Sequence, residues 1–343
     1  MAEEKLELKT KKDKKSKKSS GGSYFSSPKK NIRFIPTGCT TLDCVIGGGW
    51  ALGRISNIVG DKATGKTLLA MEACSNFIKD YPEGKIWYVE SESAFEPEYA
   101  KALGLDVNKI NFIQDIYTVE DFFKTLESAI KSLNKGEPGF FVLDSLDALS
   151  DDAEIERDID SPSYAMNKQK KLSELFRRLN NLMGKSGIHL QIISQVRHKI
   201  GMAFGRKFDR SGGKSLDFYA SQVIYLSHTG QIMKTINTRK RAVGVKIKAK
   251  CDKNKVGLPF RDCEFQIEFG YGIDDVTASL NWLLEVKMLD KVPMTQKECK
   301  DLIKKVKNMG TEEYNGWRET LKPIVIEGWY EIEKSFIPTR SKY

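Results

Sequence analysis

Ile55-Ser56-Asn57-Ile58-Val59-Gly60-Asp61-Lys62-Ala63-Thr64-Gly65-Lys66-Thr67-Leu68-Leu69-Ala70-Met71 is the stretch that decides the fold class. Ile55–Val59 is an apolar run of strand length, and Thr67–Lys79 carries an apolar stripe at helical spacing. Between them, Gly60 to Thr67 fits the pattern GxxxxGK(S/T), in the strand–loop–helix context that a phosphate-binding loop requires. Gly60, Asp61, Lys62, Ala63, Thr64 and Gly65 can turn successive backbone N–H groups inward around phosphates. The N-terminus of the following helix adds positive potential there. Lys66 can reach the β- and γ-phosphates, and the Thr67 hydroxyl can ligate magnesium. ATP and Mg²⁺ are therefore the expected cofactors.

Working outward, strands and helices alternate. Ile86–Val89 and Phe140–Leu143 read as strands, Val119–Asn134 and the basic amphipathic Lys168–Lys185 as helices, and His189–Ser194 as a further strand. This order predicts an α/β fold with a mostly parallel sheet covered on both faces. Past Ser221 the apolar runs Val223–Leu226, Val243–Ala249 and Glu264–Phe269 come at short spacing, which predicts an antiparallel extension of the same sheet. From about Tyr271 the chain turns Lys/Glu-rich and helical. The expected division is a basic extension over 1–34, a core over 35–270 and a small C-terminal α/β domain over 271–343. Residues 1–30 are too rich in Lys, Ser and Gly to bury a core, and disorder is expected at least to Gly22.

A phosphate loop needs an acidic partner for the metal at the end of a neighbouring strand, and Asp144 closes the run Phe140-Phe141-Val142-Leu143. A group must also orient the hydrolytic water. Glu90, Glu92 and Glu96 all follow the strand Ile86–Val89, and their spacing leaves the choice among them open.

The 343 residues are 40% hydrophobic, enough for a substantial core, and carry a formal charge of +10. Residues 1–33 hold eleven Lys/Arg against four Asp/Glu, a net of +7, so the remaining body is nearly neutral. Contact with nucleic acid there must use local patches rather than bulk charge. The six cysteines show neither CxxC pairing nor metal spacing, as expected of reduced structural thiols. No apolar run reaches the ~20 residues that span a bilayer. The N-terminus lacks an apolar signal segment. A soluble cytoplasmic protein without a membrane partner is expected.

Over most of residues 35–272 the chain resembles the bacterial and phage RecA family of recombinases. Pro36-Thr37-Gly38-Cys39-Thr40-Thr41-Leu42-Asp43, Gly47-Gly48-Gly49 and Gly53-Arg54-Ile55 resemble the lead-in to that family's phosphate loop. Glu92-Ser93-Ala94-Phe95-Glu96-Pro97-Glu98-Tyr99-Ala100 is similar to its E-H-A-L-D-P-x-Y-A segment, departing at Ser93 and Glu96. The resemblance implies that Glu92 is the catalytic carboxylate and that Glu96 and Tyr99 flank the adenine. Ser194-Gln195-Val196-Arg197-His198-Lys199-Ile200-Gly201, running to Gly212-Gly213, resembles a γ-phosphate-sensing glutamine followed by a DNA-binding loop. Lys253-Asn254-Lys255 with Pro259-Phe260 resembles a pair of lysines that reach the neighbouring subunit's ATP.

The same resemblance implies DNA contacts at Arg197, Lys199, Ile200, Gly212 and Gly213, and at Met166, Lys170 and Arg177. It also implies a homo-oligomeric filament with interface aromatics at Phe25 and Phe218, the former as in phage recombinases of the UvsX type. The expected activity is ATP-dependent filament formation on single-stranded DNA and its pairing with homologous duplex, by a DNA-dependent ATPase yielding ADP and phosphate. Single-stranded and double-stranded DNA are the expected partners, with single-strand-binding and loader proteins as further candidates. A hexameric helicase or branch-migration motor, and a non-catalytic recombination mediator, are the alternatives.

Overall fold

The structure is a computed structural model describing residues 32–92, 95–152, 165–184, 186–198, 208–210 and 213–340. Residues from Phe34 onward form one compact unit. Its strands are β1 (Phe34–Ile35), β2 (Trp50–Ala51), β3 (Ile55–Gly60), β4 (Lys85–Glu90), β5 (Ile110–Ile113) and β6 (Gly139–Asp144). They continue as β7 (Ile188–His198), β8 (Phe208–Arg210), β9 (Gln222–Ile236), β10 (Arg239–Asn254), β11 (Asp262–Glu268) and β12 (Gly272–Ile273). The helices are α1 (Thr40–Ile46), α2 (Lys66–Asp80), α3 (Pro97–Ala102), α4 (Val119–Lys131) and α5 (Ala165–Met183). Four more follow: α6 (Gly213–Tyr219), α7 (Asp275–Glu285), α8 (Gln296–Val306) and α9 (Thr311–Ser335).

The main sheet runs β12-β11-β10-β9-β3-β7-β6-β4-β5, with β8 attached to β7. From β9 to β5 neighbouring strands are parallel, whereas β9 to β12 pair antiparallel, as the change of spacing after Ser221 predicts. Every residue of β3 and β6 is buried, the burial expected of parallel strands covered on both faces. On one face α1 and α2 pack with Ile58, Tyr88, Phe140 and Ile247. On the other, α4 and α5 pack with Val59, Phe141, Leu143 and Ile192.

Two elements differ from the sequence reading. The strands expected at Val223–Leu226 and Val243–Ala249 extend into a long hairpin whose outer half is mostly exposed. Its turn residues Asn237 and Thr238 both lie at positive φ, as a two-residue hairpin turn demands. The charged tip, Arg239-Lys240-Arg241, hides this strand from a search for apolar runs. The segment after Ile273 is helical among the described residues where mixed structure is expected. Leu280, Leu321, Val325 and Trp329 join the same core as α2.

That junction is polar and buried. Asp275 Oδ1 and Oδ2 accept from Thr40 N (2.6 Å) and Thr40 Oγ1 (2.8 Å), and Oδ2 also accepts from Arg318 Nε at 3.1 Å. The Tyr314 hydroxyl accepts from Asp275 N at 2.9 Å. Arg261 adds a two-pronged contact to Glu333, with Nε and Nη2 at 2.8 and 2.6 Å from the carboxylate oxygens. The cysteines among the described residues are free, and all but Cys44 are buried.

Candidate active site

β3 ends at Gly60, and the chain loops over before starting α2 at Lys66. The loop closes on itself: Thr64 Oγ1 and Lys66 Nζ each donate to the Asp61 carbonyl at 2.8 Å, and Lys62 N donates to Asp61 Oδ1 at 2.8 Å. Gly65 sits at φ 82°, and a Cβ there would stand 2.3 Å from Ile267 Cδ1. That φ favours glycine, and any other residue would also have to push the Ile267 side chain aside. A cavity of about 290 Å³ opens beside the loop, lined by Ala63 to Leu68 together with Met71, Glu96 and Tyr99. Glu96 and Tyr99, expected to flank the base, thus share one hollow with the phosphate loop.

The C-terminal ends of β4, β6 and β7 bring the remaining groups to this rim. Asp144 Oδ2 accepts from Thr67 Oγ1 at 2.8 Å and from Tyr88 Oη at 2.9 Å. Burial pushes the Asp144 carboxyl up to about 6, an effect the two hydroxyl donors partly offset. Burial also pulls the Lys66 ammonium below the ordinary lysine value, against the attraction of Asp144, Glu92 and Asp61. Glu92 Oε1 accepts from Ser145 Oγ and, at 2.9 Å, from Gln195 Nε2. Gln195 N in turn donates to Asp147 Oδ2 at 2.7 Å. Of the three candidate carboxylates, Glu90 is buried and accepts from Glu92 N at 3.1 Å, leaving Glu92 against the glutamine.

A family model described as the RecA N-terminal domain matches residues 7–274. Protein RecA of Thermus aquaticus is 34% identical over 265 residues, covering 77% of this chain and 75% of that protein. Protein RecA of Trichodesmium erythraeum is 32% identical over 260 residues, 76% of this chain and 69% of the relative. Protein RecA of Streptomyces avermitilis is 34% identical over 247 residues, 72% and 63%. The chain belongs to the RecA family. It is an ATP-dependent DNA recombinase, with the ATPase fold of that family. RecA-family proteins use ATP and Mg²⁺, bind DNA and form filaments. A hydroxyl and one carboxylate, hard oxygen donors 2.8 Å apart, suit a magnesium ion that takes its other ligands from phosphate and water. No described helix is long and apolar enough to cross a membrane.

The DNA-contact residues expected of a RecA-family chain are only partly within the described residues. Lys199, Ile200, Gly212 and Phe25 lie outside them, as do the side chains of Met166 and Arg197; Gly213 opens α6. Lys170 and Arg177 are exposed on α5 and line a groove of about 720 Å³ with Ser173, Ser215, Phe218 and Tyr219. Two other basic residues of the helix turn inward: Lys168 donates to the Leu149 carbonyl and Lys171 pairs with Glu120. Phe218 is 68% exposed at the end of α6. Lys253 and Lys255 are not at the phosphate loop of their own chain. Lys253 Nζ donates to the Asp217 carbonyl and, at 2.8 Å, to that of Phe218; Lys255 Nζ donates to the latter at 3.0 Å. Sequence reasoning missed Tyr88, Ser145 and Asp147, which hold the named carboxylates and glutamine in place.

Proposed function

We propose that this RecA-family protein binds Mg·ATP between the loop Gly60–Thr67 and Glu96/Tyr99, and cleaves it to ADP and phosphate. In this reading Lys66 neutralises the β- and γ-phosphates, and Thr67 and Asp144 hold the magnesium ion. The ion, when bound, offsets negative charge on the phosphates. Glu92 orients the attacking water and accepts its proton.

The observation that carries the proposal is the 2.9 Å bond from Gln195 Nε2 to Glu92 Oε1. An amide has two donor hydrogens, so a γ-phosphate can draw Gln195 toward itself and free Glu92 for the water. Gln195 lies within β7, which leads directly into residues 199–212, so the same movement reports the nucleotide to the proposed DNA loop. Lys170, Arg177, Arg197 and Lys199 then meet the DNA backbone, while Met166, Ile200, Gly212 and Gly213 contact the stretched strand. Such binding is largely sequence-independent and falls steeply with salt.

Residues 1–34, with Phe25, are read as the polymerisation segment, and Phe218 as part of the same contact between subunits. Lys253 and Lys255 leave α6 and stabilise the neighbour's ATP. The helicase and mediator alternatives gain no support from the comparisons. Single-strand-binding and loader proteins remain candidate partners, and a cytoplasmic location accords with the sequence reading.

The test is a strand-exchange assay with and without ATP and magnesium, alongside sizing of the protein with oligonucleotide and a nonhydrolysable analogue. Exchange dependent on ATP is expected; a chain that stays monomeric under those conditions overturns the reading. Lys253→Ala is expected to lower DNA-stimulated hydrolysis by ~10³-fold or more, the scale of a charge supplied in trans. Its monomer should bind nucleotide normally in a fluorescence titration. Equal loss of both would show that Lys253 acts within its own subunit.

A further inference from the structure

We propose that Tyr88 is a positioning residue for the magnesium-binding carboxylate: its hydroxyl, donated from the adjacent strand, fixes which edge of Asp144 faces Thr67. This rests on the reading of Thr67 and Asp144 as the metal-holding pair.

The sheet register makes the contact possible. β4 lies beside β6 with Tyr88 opposite Val142 and Glu90 opposite Asp144, so Tyr88 and Asp144 project from the same face, two register positions apart. At about 3.3 Å per residue that offset is roughly 6.6 Å, a span that a tyrosine side chain covers. Its hydroxyl reaches Asp144 Oδ2 at 2.9 Å, the same oxygen that takes the Thr67 hydroxyl at 2.8 Å.

The ring has little freedom to be anywhere else. Tyr88 is fully buried. It stacks on Phe112 with centroids 5.5 Å apart and planes 9° apart, and meets Phe95 edge-on at 5.0 Å. Phe95 also packs on Phe112, at 4.6 Å. Phe95 lies between Glu92 and Glu96 in the chain, so the aromatic cluster that aims the hydroxyl also seats the segment carrying the proposed water-orienting carboxylate.

The chemistry explains why a hydroxyl suits this place. A carboxylate oxygen can accept two donors, and Oδ2 has them in Tyr88 and Thr67. A tyrosine hydroxyl donates without adding charge, so it orients Asp144 without competing electrostatically with a cation. Partners of this kind fix the geometry of metal-binding groups, and losing one typically weakens metal affinity by about 10–100-fold. Phenylalanine would fill the same space and supply the same stacking, but no donor.

The experiment is a Mn²⁺ titration, followed by electron paramagnetic resonance, of the full chain with a nonhydrolysable ATP analogue. Tyr88→Phe is expected to weaken Mn²⁺ affinity of the nucleotide complex by about 10–100-fold. Its affinity for the analogue in EDTA should stay that of the unsubstituted protein. Phe112→Leu loosens the same stack but keeps the hydroxyl; it should lower the melting temperature and weaken Mn²⁺ affinity much less than Tyr88→Phe does. Undiminished Mn²⁺ affinity in Tyr88→Phe, or an equal loss in Phe112→Leu, would overturn the positioning role and leave Tyr88 as core packing. Failure of the unsubstituted protein to bind Mn²⁺ with the analogue would instead overturn the assignment of Thr67 and Asp144, and this proposal with it.

Discussion

Lys66→Ala is expected to abolish ATP turnover, with a loss of at least ~10²–10³-fold in kcat, the scale of removing one pre-placed donor to developing charge. Lys66 opens α2, where its ammonium donates to the Asp61 carbonyl within reach of the cavity. Alanine removes the cation that would neutralise the β- and γ-phosphates; the loop's other lysine, Lys62, is exposed and lies outside the lining of the cavity. The fold should not register the change. The side chain is only partly buried, its partner is a loop carbonyl, and alanine is a good helix former. A phosphate-release assay with saturating oligonucleotide, next to a thermal melt, checks both halves. Normal hydrolysis by a folded Lys66→Ala protein would remove Gly60–Thr67 from the active site.

Glu92→Gln should separate binding from chemistry. The amide is isosteric with the carboxylate and its oxygen can still accept from Ser145 and Gln195, so the rim keeps its shape. What disappears is the negative charge and the capacity to take a proton from water. Loss of a general base costs ~10²–10⁴-fold in rate, and that is the expected fall in kcat. Nucleotide affinity, measured with a fluorescent analogue, is expected to hold. Because the variant would retain ATP, filaments formed with ATP should persist, as those of the unsubstituted protein are expected to with a nonhydrolysable analogue. Hydrolysis at the normal rate would return the assignment to Glu90 or Glu96.

The sequence made some of this site plain and concealed the rest for physical reasons. Lys66, Thr67 and Asp144 are legible because their chemistry requires a strand, a glycine loop and a helix in fixed succession. Glu92 was not separable from Glu90 and Glu96 by spacing. What distinguishes it is tertiary: Glu90 is buried, and Gln195, from a strand about a hundred residues away, meets Glu92. Tyr88 was invisible for a related reason. An aromatic within Ile86–Val89 reads as core, and so it is. Only the pairing of Glu90 with Asp144 reveals where its hydroxyl ends. Lys253 and Lys255 were picked out by the family resemblance alone, and their rest on carbonyls at the end of α6 is a tertiary contact that no local pattern foretells.

The family match stops at residue 274, immediately before Asp275, whose buried carboxylate grips Thr40 on one side and Arg318 on the other. The end of the N-terminal-domain match and the end of the packed body therefore lie in different places. The segment beyond residue 274 packs into the body, and its Leu321 and Trp329 shield the same apolar interior that backs α2. Grafting this tail onto a relative, or a relative's tail onto this chain, would succeed only if Thr40, Asp275, Tyr314 and Arg318 travelled together.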